Sequence, residues 1–303
     1  MGVKPGLGIA CALLSATCFG LNPPIAAFLN GFGFVPVEAV VVRSMLMLAV
    51  AAAMVAVLRR PLRVSRALWG PLAGITLGTA ALSLCYLSSV AFIPVGLAVI
   101  ILYTFPLLVL VLSPLLEGAR LSPRRIVLAL LAFAGLVIAI GPSFATLDIR
   151  GIGLAATAAV SAVVIFFCGR GLAGHVDEAV NAFWVHLLGT PIVVAAALAA
   201  GRGWGWFGPE AAGVLQQAAV PALALGITYA AGYLFMVHGL RHAPPSGLTP
   251  FYNIEPVISI AAAAVLVGER LEVNQYAGAG LVLTALVLSG VVAGRQPVPE
   301  AGR

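Results

Sequence analysis

Between Arg66 and Glu117 the chain runs for 50 residues without an Asp, Glu, Lys or Arg. A helix that crosses a bilayer needs about 20 apolar residues, so this one stretch has room for two crossings. Further charge-free runs lie between Lys4 and Glu38, Arg125 and Asp148, Arg150 and Arg170, Glu178 and Arg202, Glu210 and Arg241, and Glu272 and Arg295. Each holds at least one span. The chain is 62% hydrophobic and 9% charged, against roughly 25% charged residues in a soluble domain. So few charges cannot cover a water-exposed surface, so the solvent of this chain is lipid and its spanning elements are helices.

Reading helices between the charges and the Gly/Pro breaks predicts ten spans: 6–29, 36–58, 67–89, 94–116, 123–141, 150–170, 178–200, 214–239, 244–267 and 273–293. Ten crossings put both termini on one side. Lys4, Arg59, Arg60, Arg63, Arg66, Arg120, Arg124, Arg125, Arg170, Arg241, Arg295 and Arg303 then fall on that side, and only Arg150, Arg202 and Arg270 opposite. Basic residues in short loops stay in the cytoplasm, so both termini are expected there, in an inner (plasma) membrane. The net charge of +6 follows from this topology and does not call for a nucleic-acid partner. The first apolar stretch is too long for a cleavable signal and reads as a retained anchor. Cys11, Cys18, Cys85 and Cys168 all sit inside spans without metal-ligand spacing and read as small apolar residues.

The chain repeats itself. An offset of 150 residues aligns Ala80-Ala81 with Ala230-Ala231, Leu84 with Leu234, Pro94 with Pro244, Pro106 with Pro256, Gly118 with Gly268 and Arg120-Leu121 with Arg270-Leu271. At an offset of 143, the segment 37–43 aligns with 180–186, which matches Arg43 to His186, the ionisable groups deep in the second and seventh spans. The expected organisation is an all-α membrane protein with two five-helix repeats, 1–145 and 146–294, and a disordered tail, 295–303. Five crossings are an odd number, so the second repeat is inverted. Inverted repeats are characteristic of secondary transporters, whose substrate site lies near the midplane where the halves meet.

Several segments carry a resemblance. They are VVVRSMLML around Arg43, LRRPLR at 58–63, YTFPLLVLVLSPLLEGARLS at 103–122, and 253–290 with its Gly268-Glu269-Arg270 run. With ten spans in a 5+5 arrangement, the chain resembles the drug/metabolite transporter superfamily, specifically the EamA-type exporters, and at subfamily level the amino-acid exporters of the YddG type. The resemblance implies alternating access without ATP. One departure is Glu117-Gly118-Ala119-Arg120, where a Gly-Glu-Arg run would match the family pattern.

Candidate site residues follow from polar groups placed where an apolar span would not otherwise keep them. Thr76, Thr79, Ser83 and Tyr86 form one stripe on the third span, and Tyr229, Tyr233 and Met236 occupy the equivalent positions of the eighth. A polar stripe points into the bundle, either as glue between helices or as cavity lining. The threonines suit the first role, and the wide phenols suit the second at least as well. Pro106 and Pro256 break the fourth and ninth spans, freeing carbonyls where Tyr103, Thr104, Tyr252, Asn253 and Glu255 gather. Asn22-Pro23-Pro24 is a weaker break nearer a helix end. Glu255 suits binding of an amine, carriage of a coupling proton, or a structural pair with Arg43 or a histidine. Arg43 suits reception of a carboxylate or an architectural role, and His186 a titrating group or a hydrogen-bonded core residue. Trp204, Trp206 and Phe207 fit an aromatic belt.

The expected function is therefore export of small polar metabolites, foremost aromatic or other neutral amino acids, by a monomer or weak dimer without a cofactor. An exporter of cationic drugs or nucleosides with the same fold is the alternative. An intramembrane enzyme needs a nucleophile–base set or a metal cluster, yet the two aspartates, Asp148 and Asp177, both fall in loops. No Walker A pattern occurs, so ATP-driven pumping is not encoded here.

Overall fold

A computed structural model of the chain describes residues 4–118, 122–141, 147–201, 211–266 and 271–294. Arg120, Arg202, Trp204, Trp206, Phe207, the Gly268-Glu269-Arg270 run and the tail 295–303 lie outside the described residues.

The helices are α1 (Pro5–Gly20), α2 (Asn22–Asn30), α3 (Pro36–Val57), α4 (Trp69–Ser89), α5 (Val95–Leu102), α6 (Phe105–Leu116), α7 (Pro123–Ile140), α8 (Ile149–Leu172), α9 (Glu178–Ala199), α10 (Ala211–His242), α11 (Pro245–Leu248), α12 (Ile254–Leu266) and α13 (Val273–Gly294). Among the described residues, α1 with α2, α5 with α6 and α11 with α12 act as broken spans. They and α3, α4, α7, α8, α9 and α10 make nine elements long and apolar enough to cross a membrane, and α13 carries a shorter apolar stretch, Val273–Ser289. Each of the ten expected spans falls on a helix or broken helix, with ends shifted by a few residues.

Local chemistry starts and stops these helices. Pro5, Pro36 and Pro123 open α1, α3 and α7, where a missing N–H costs nothing. Asp148 and Asp177 cap α8 and α9 by accepting from the Arg150 and Ala179 amides at 2.8 and 3.0 Å, and Glu38 accepts from the Val35 amide at 2.9 Å. α7 ends on Gly141 at φ +56°, a conformation that glycine adopts without strain.

The breaks are prolines too. Pro23 and Pro24 interrupt the ladder after α1. Tyr103-Thr104 separate α5 from α6 just before Pro106, and a 3₁₀ turn at Thr249–Asn253 precedes α12 with Pro256 in its first turn. The last two breaks are 150 residues apart, as the repeat requires.

Packing obeys the same repeat. α4 lies on α8 as α1 lies on α10, α3 crosses α10 as α9 crosses α4, and α1 meets α12 as α8 meets α5 and α6. The pairs α3–α9 and α7–α13 map onto themselves. The most extensive contacts of one repeat thus have their counterparts in the other. Small residues permit these approaches. Gly135 faces the Gly278 carbonyl across α7 and α13, Gly78 faces Ile165 and the Ser161 carbonyl across α4 and α8, and Gly239 faces Cys11 across α10 and α1. The Gly74/Gly78 spacing therefore serves contacts within one chain. Leu115, Val265 and Val127 project from the outer surface, as lipid-facing residues do.

Candidate functional site

The α7–α13 pair lends no residue to the central cavity. Every other span except α9 lines this cavity of about 500 Å³, within the range of sites that hold a small molecule. Its wall comes from both repeats: Phe19 and Asn22 at the α1–α2 break, Arg43 from α3, Thr79, Ser83 and Tyr86 from α4, and Tyr103 and Phe105 at the α5–α6 break. The second repeat supplies Phe166 from α8, Tyr229, Tyr233 and Met236 from α10, and Tyr252 and Glu255 from the ninth span. All three broken spans reach it.

The structure brings together eight of the expected site residues: Arg43, Ser83, Tyr86, Tyr103, Tyr229, Tyr233, Tyr252 and Glu255. Thr104 and Asn253 stay in the breaks, bound to the Ile101 and Pro250 carbonyls at 2.7 and 2.9 Å. The rings of Pro106 and Pro256 are buried behind the wall, so their part is to shape the backbone. His186, buried, stands behind Tyr229 and borders a small void beside the cavity. Its Nδ1 lies 2.9 Å from the Ala182 carbonyl and its Nε2 3.3 Å from the Tyr229 hydroxyl. A carbonyl only accepts, so Nδ1 carries the proton and Nε2 accepts from the phenol. Thr76 and Thr79 bond to the Leu72 and Ile75 carbonyls of their own helix, both at 2.7 Å. The expected glue between helices is thus absent there, because the preceding turn offers a nearer acceptor.

Arg43 is held by neutral groups. Its Nη2 donates to Ser83 at 3.0 Å, its guanidinium lies 4.7 Å from the Tyr229 ring centroid, and its Nε has no protein acceptor. The Tyr103 phenol neighbours the Glu255 carboxyl. No ion pair joins Arg43 and Glu255 among the described residues. Phe105 stacks on Phe166 at 5.5 Å, and Tyr252 meets Phe166 edge-on at 5.0 Å. This aromatic floor was missed in the sequence, because a Phe inside an apolar span carries no polar signal. Asn22, read in the sequence as part of a weaker break, is buried there and belongs to the cavity wall.

Among the described residues, the cavity wall reaches the span ends at one end only. Asn30, Pro36 and Val95, at the span ends away from the termini, belong to its wall, and Val95 is 58% exposed. The wall residues Leu87 and Val95 have repeat mates in Val237 and Pro245. Val237 is 1% exposed, and Pro245 is buried. The terminal end is barred by bonds across the repeats. Tyr252 O–H donates to Ser15 Oγ at 2.9 Å, Ser15 donates to the Gly232 carbonyl at 2.7 Å, and Ser246 donates from its amide and hydroxyl to Glu117. Arg60 pairs with Asp177 at 3.2 Å across the repeats, and within the second repeat Glu178 accepts from Arg241 and His238 at 2.6 and 3.0 Å. Among the described residues, no three His, Cys, Asp or Glu side chains come together to hold a metal ion.

The model of the EamA-like transporter family matches the chain twice, over residues 6–141 and 149–291. An uncharacterized transporter of Archaeoglobus fulgidus is 25% identical over 201 residues, which cover 65% of this chain and 68% of that protein. A crystal structure with 21% identity superposes with a TM-score of 0.75 over 94% of this chain and 98% of the other, a likeness of fold.

Proposed function

The chain belongs to the EamA-like transporter family, and on that footing we propose that it exports small polar metabolites, foremost neutral and aromatic amino acids, by alternating access. The repeats 1–145 and 146–294 act as the two bodies that rearrange around the central site. Both termini face the cytoplasm of a cell bounded by the inner membrane, in keeping with the placement of the basic loops. The outer end is then the open one, and the conformation is outward-facing.

The observation that carries this reading is the single-ended cavity at the junction of the repeats. It is large enough for one small solute and lined by phenols, hydroxyls and aromatic rings, with one cationic and one anionic side chain. A phosphorylated sugar would call for several inward cations, and Arg43 is the one on this wall. Proteoliposomes of purified protein, preloaded with a mixed amino-acid pool and challenged with single labelled amino acids, test the reading by counterflow. Exchange that is lost on Tyr86→Ala or Tyr103→Ala, with the protein still folded, supports it. Exchange of a cationic dye or a nucleoside in place of every amino acid refutes the substrate class.

A further inference from the structure

Arg43 and Glu255 are the two formally charged side chains on the cavity wall among the described residues. Their charges are opposite, yet they do not neutralise each other by direct contact. Each feels the field of the other across the cavity. The guanidinium is oriented by Ser83 and Tyr229, and its Nε is buried without a protein partner. Charges at this depth are costly and are kept for function. The repeat sharpens the point. At the offset of 143 the mate of Arg43 is His186, and at 150 the mate of Glu255 is Phe105. Each charge therefore belongs to one repeat alone. A cavity lined by elements of two repeated halves is thereby made electrically directional.

We propose that Arg43 and Glu255 read the two ends of a zwitterion, with the guanidinium taking the α-carboxylate of an amino acid and the carboxylate of Glu255 accepting from its α-ammonium. This rests on the reading of the protein as an amino-acid transporter and narrows it. A planar guanidinium suits a carboxylate through paired N–H donors, and a carboxylate suits an ammonium. The side chain of the ligand then lies against Phe105, Phe166 and Tyr252, a wall that favours flat apolar groups. A simple amine leaves Arg43 without an anion, and a simple acid meets Glu255. Lysine and glutamate each bring an extra charge for which the wall offers no second partner.

Counterflow of labelled phenylalanine tests this, with unlabelled phenylalanine, phenethylamine and 3-phenylpropionate as competitors. Each single-charge analogue is expected to compete at least about tenfold more weakly than phenylalanine, the loss of one charge-assisted contact. In Glu255→Gln the ammonium loses its anionic partner, so 3-phenylpropionate gains on phenylalanine by a similar factor. The analogue series on the unaltered protein holds even if a substituted one fails to fold. Either analogue competing as well as phenylalanine, or an unchanged ranking in folded Glu255→Gln, overturns the charge-reading site while amino-acid transport stands. Absence of exchange for every neutral amino acid, with another solute exchanged, refutes the broader reading instead.

Discussion

Tyr252→Phe removes one hydroxyl from the closed end of the cavity and nothing else. In the present conformation that hydroxyl donates to Ser15 at 2.9 Å, linking the ninth span to α1 across the repeats. Ser15 keeps its own bond to the Gly232 carbonyl at 2.7 Å, so the substitution leaves no orphaned donor. One neutral hydrogen bond between membrane helices contributes about 0.6 kcal/mol on average, and up to about 1.5 kcal/mol at the upper end of protein values. In the proposed alternating access this bond breaks as the terminal end opens, so its loss is expected to shift the equilibrium toward the terminus-open state by roughly three- to twelvefold. Val237, buried now and the repeat mate of the wall residue Leu87, reports that opening. In a background without the native cysteines, Val237→Cys should react with a membrane-impermeant maleimide on the terminal side three to twelve times faster when Tyr252→Phe is present. Asn30→Cys, at the open end, should change little, because the state open at that end still dominates. Equal reactivity of Val237→Cys with and without Tyr252→Phe would refute the assignment of this bond to the gate. Acceleration at both ends would show general loosening in its place.

Ser15→Ala is expected to act in the same direction and more strongly, because it strands the buried Tyr252 hydroxyl, and the same labelling measures it. Gly278→Val places a Cβ against the backbone of Ala139 and Gly135, which cannot rotate away. A loss of about 1–3 kcal/mol should appear as a lower Tm in detergent, with the competition ranking of substrates unchanged because α7 and α13 stand apart from the cavity. Glu178→Gln weakens bonds to Arg241 and His238. With these side chains 19–43% exposed, solvent screening reduces the effect to about 1 kcal/mol, also read as Tm. Arg150 beside Asp148 holds that carboxyl below the usual carboxylate range through hydrogen bonds. A lowered value in the folded state means that the cap is intact at neutral pH and lost as the pH falls through that value. Amide exchange at Arg150 should therefore differ between wild type and Asp148→Ala near pH 7, and the difference should narrow in acid.

How much could be read in advance differs between the spans and the site. The spans were legible because an apolar run of this length can do little else in lipid, and because Pro36, Pro123, Asp148 and Asp177 mark helix starts by local chemistry. The repeat was legible because prolines at 94 and 106 return at 244 and 256. The Pro106 and Pro256 breaks were likewise expected, since a proline removes its own ladder bond wherever the chain folds. Thr76 and Thr79 were less legible. A hydroxyl one turn from its own carbonyl and a neighbouring helix at unknown distance compete for the same bond.

The sequence by itself determined that this is a membrane protein of two like halves, and which residues are too polar to face lipid. Both follow from transfer energies and backbone geometry, which act on each segment wherever it ends up. Only the tertiary structure decided that Arg43 and Glu255 face one cavity without pairing, that His186 stands behind Tyr229, and that Phe105 and Phe166 form a floor. It also decided that the cavity opens at one end. These depend on how α3, α8, α10 and the broken spans cross, and crossings are set by close packing between segments far apart in the chain, which no local pattern encodes.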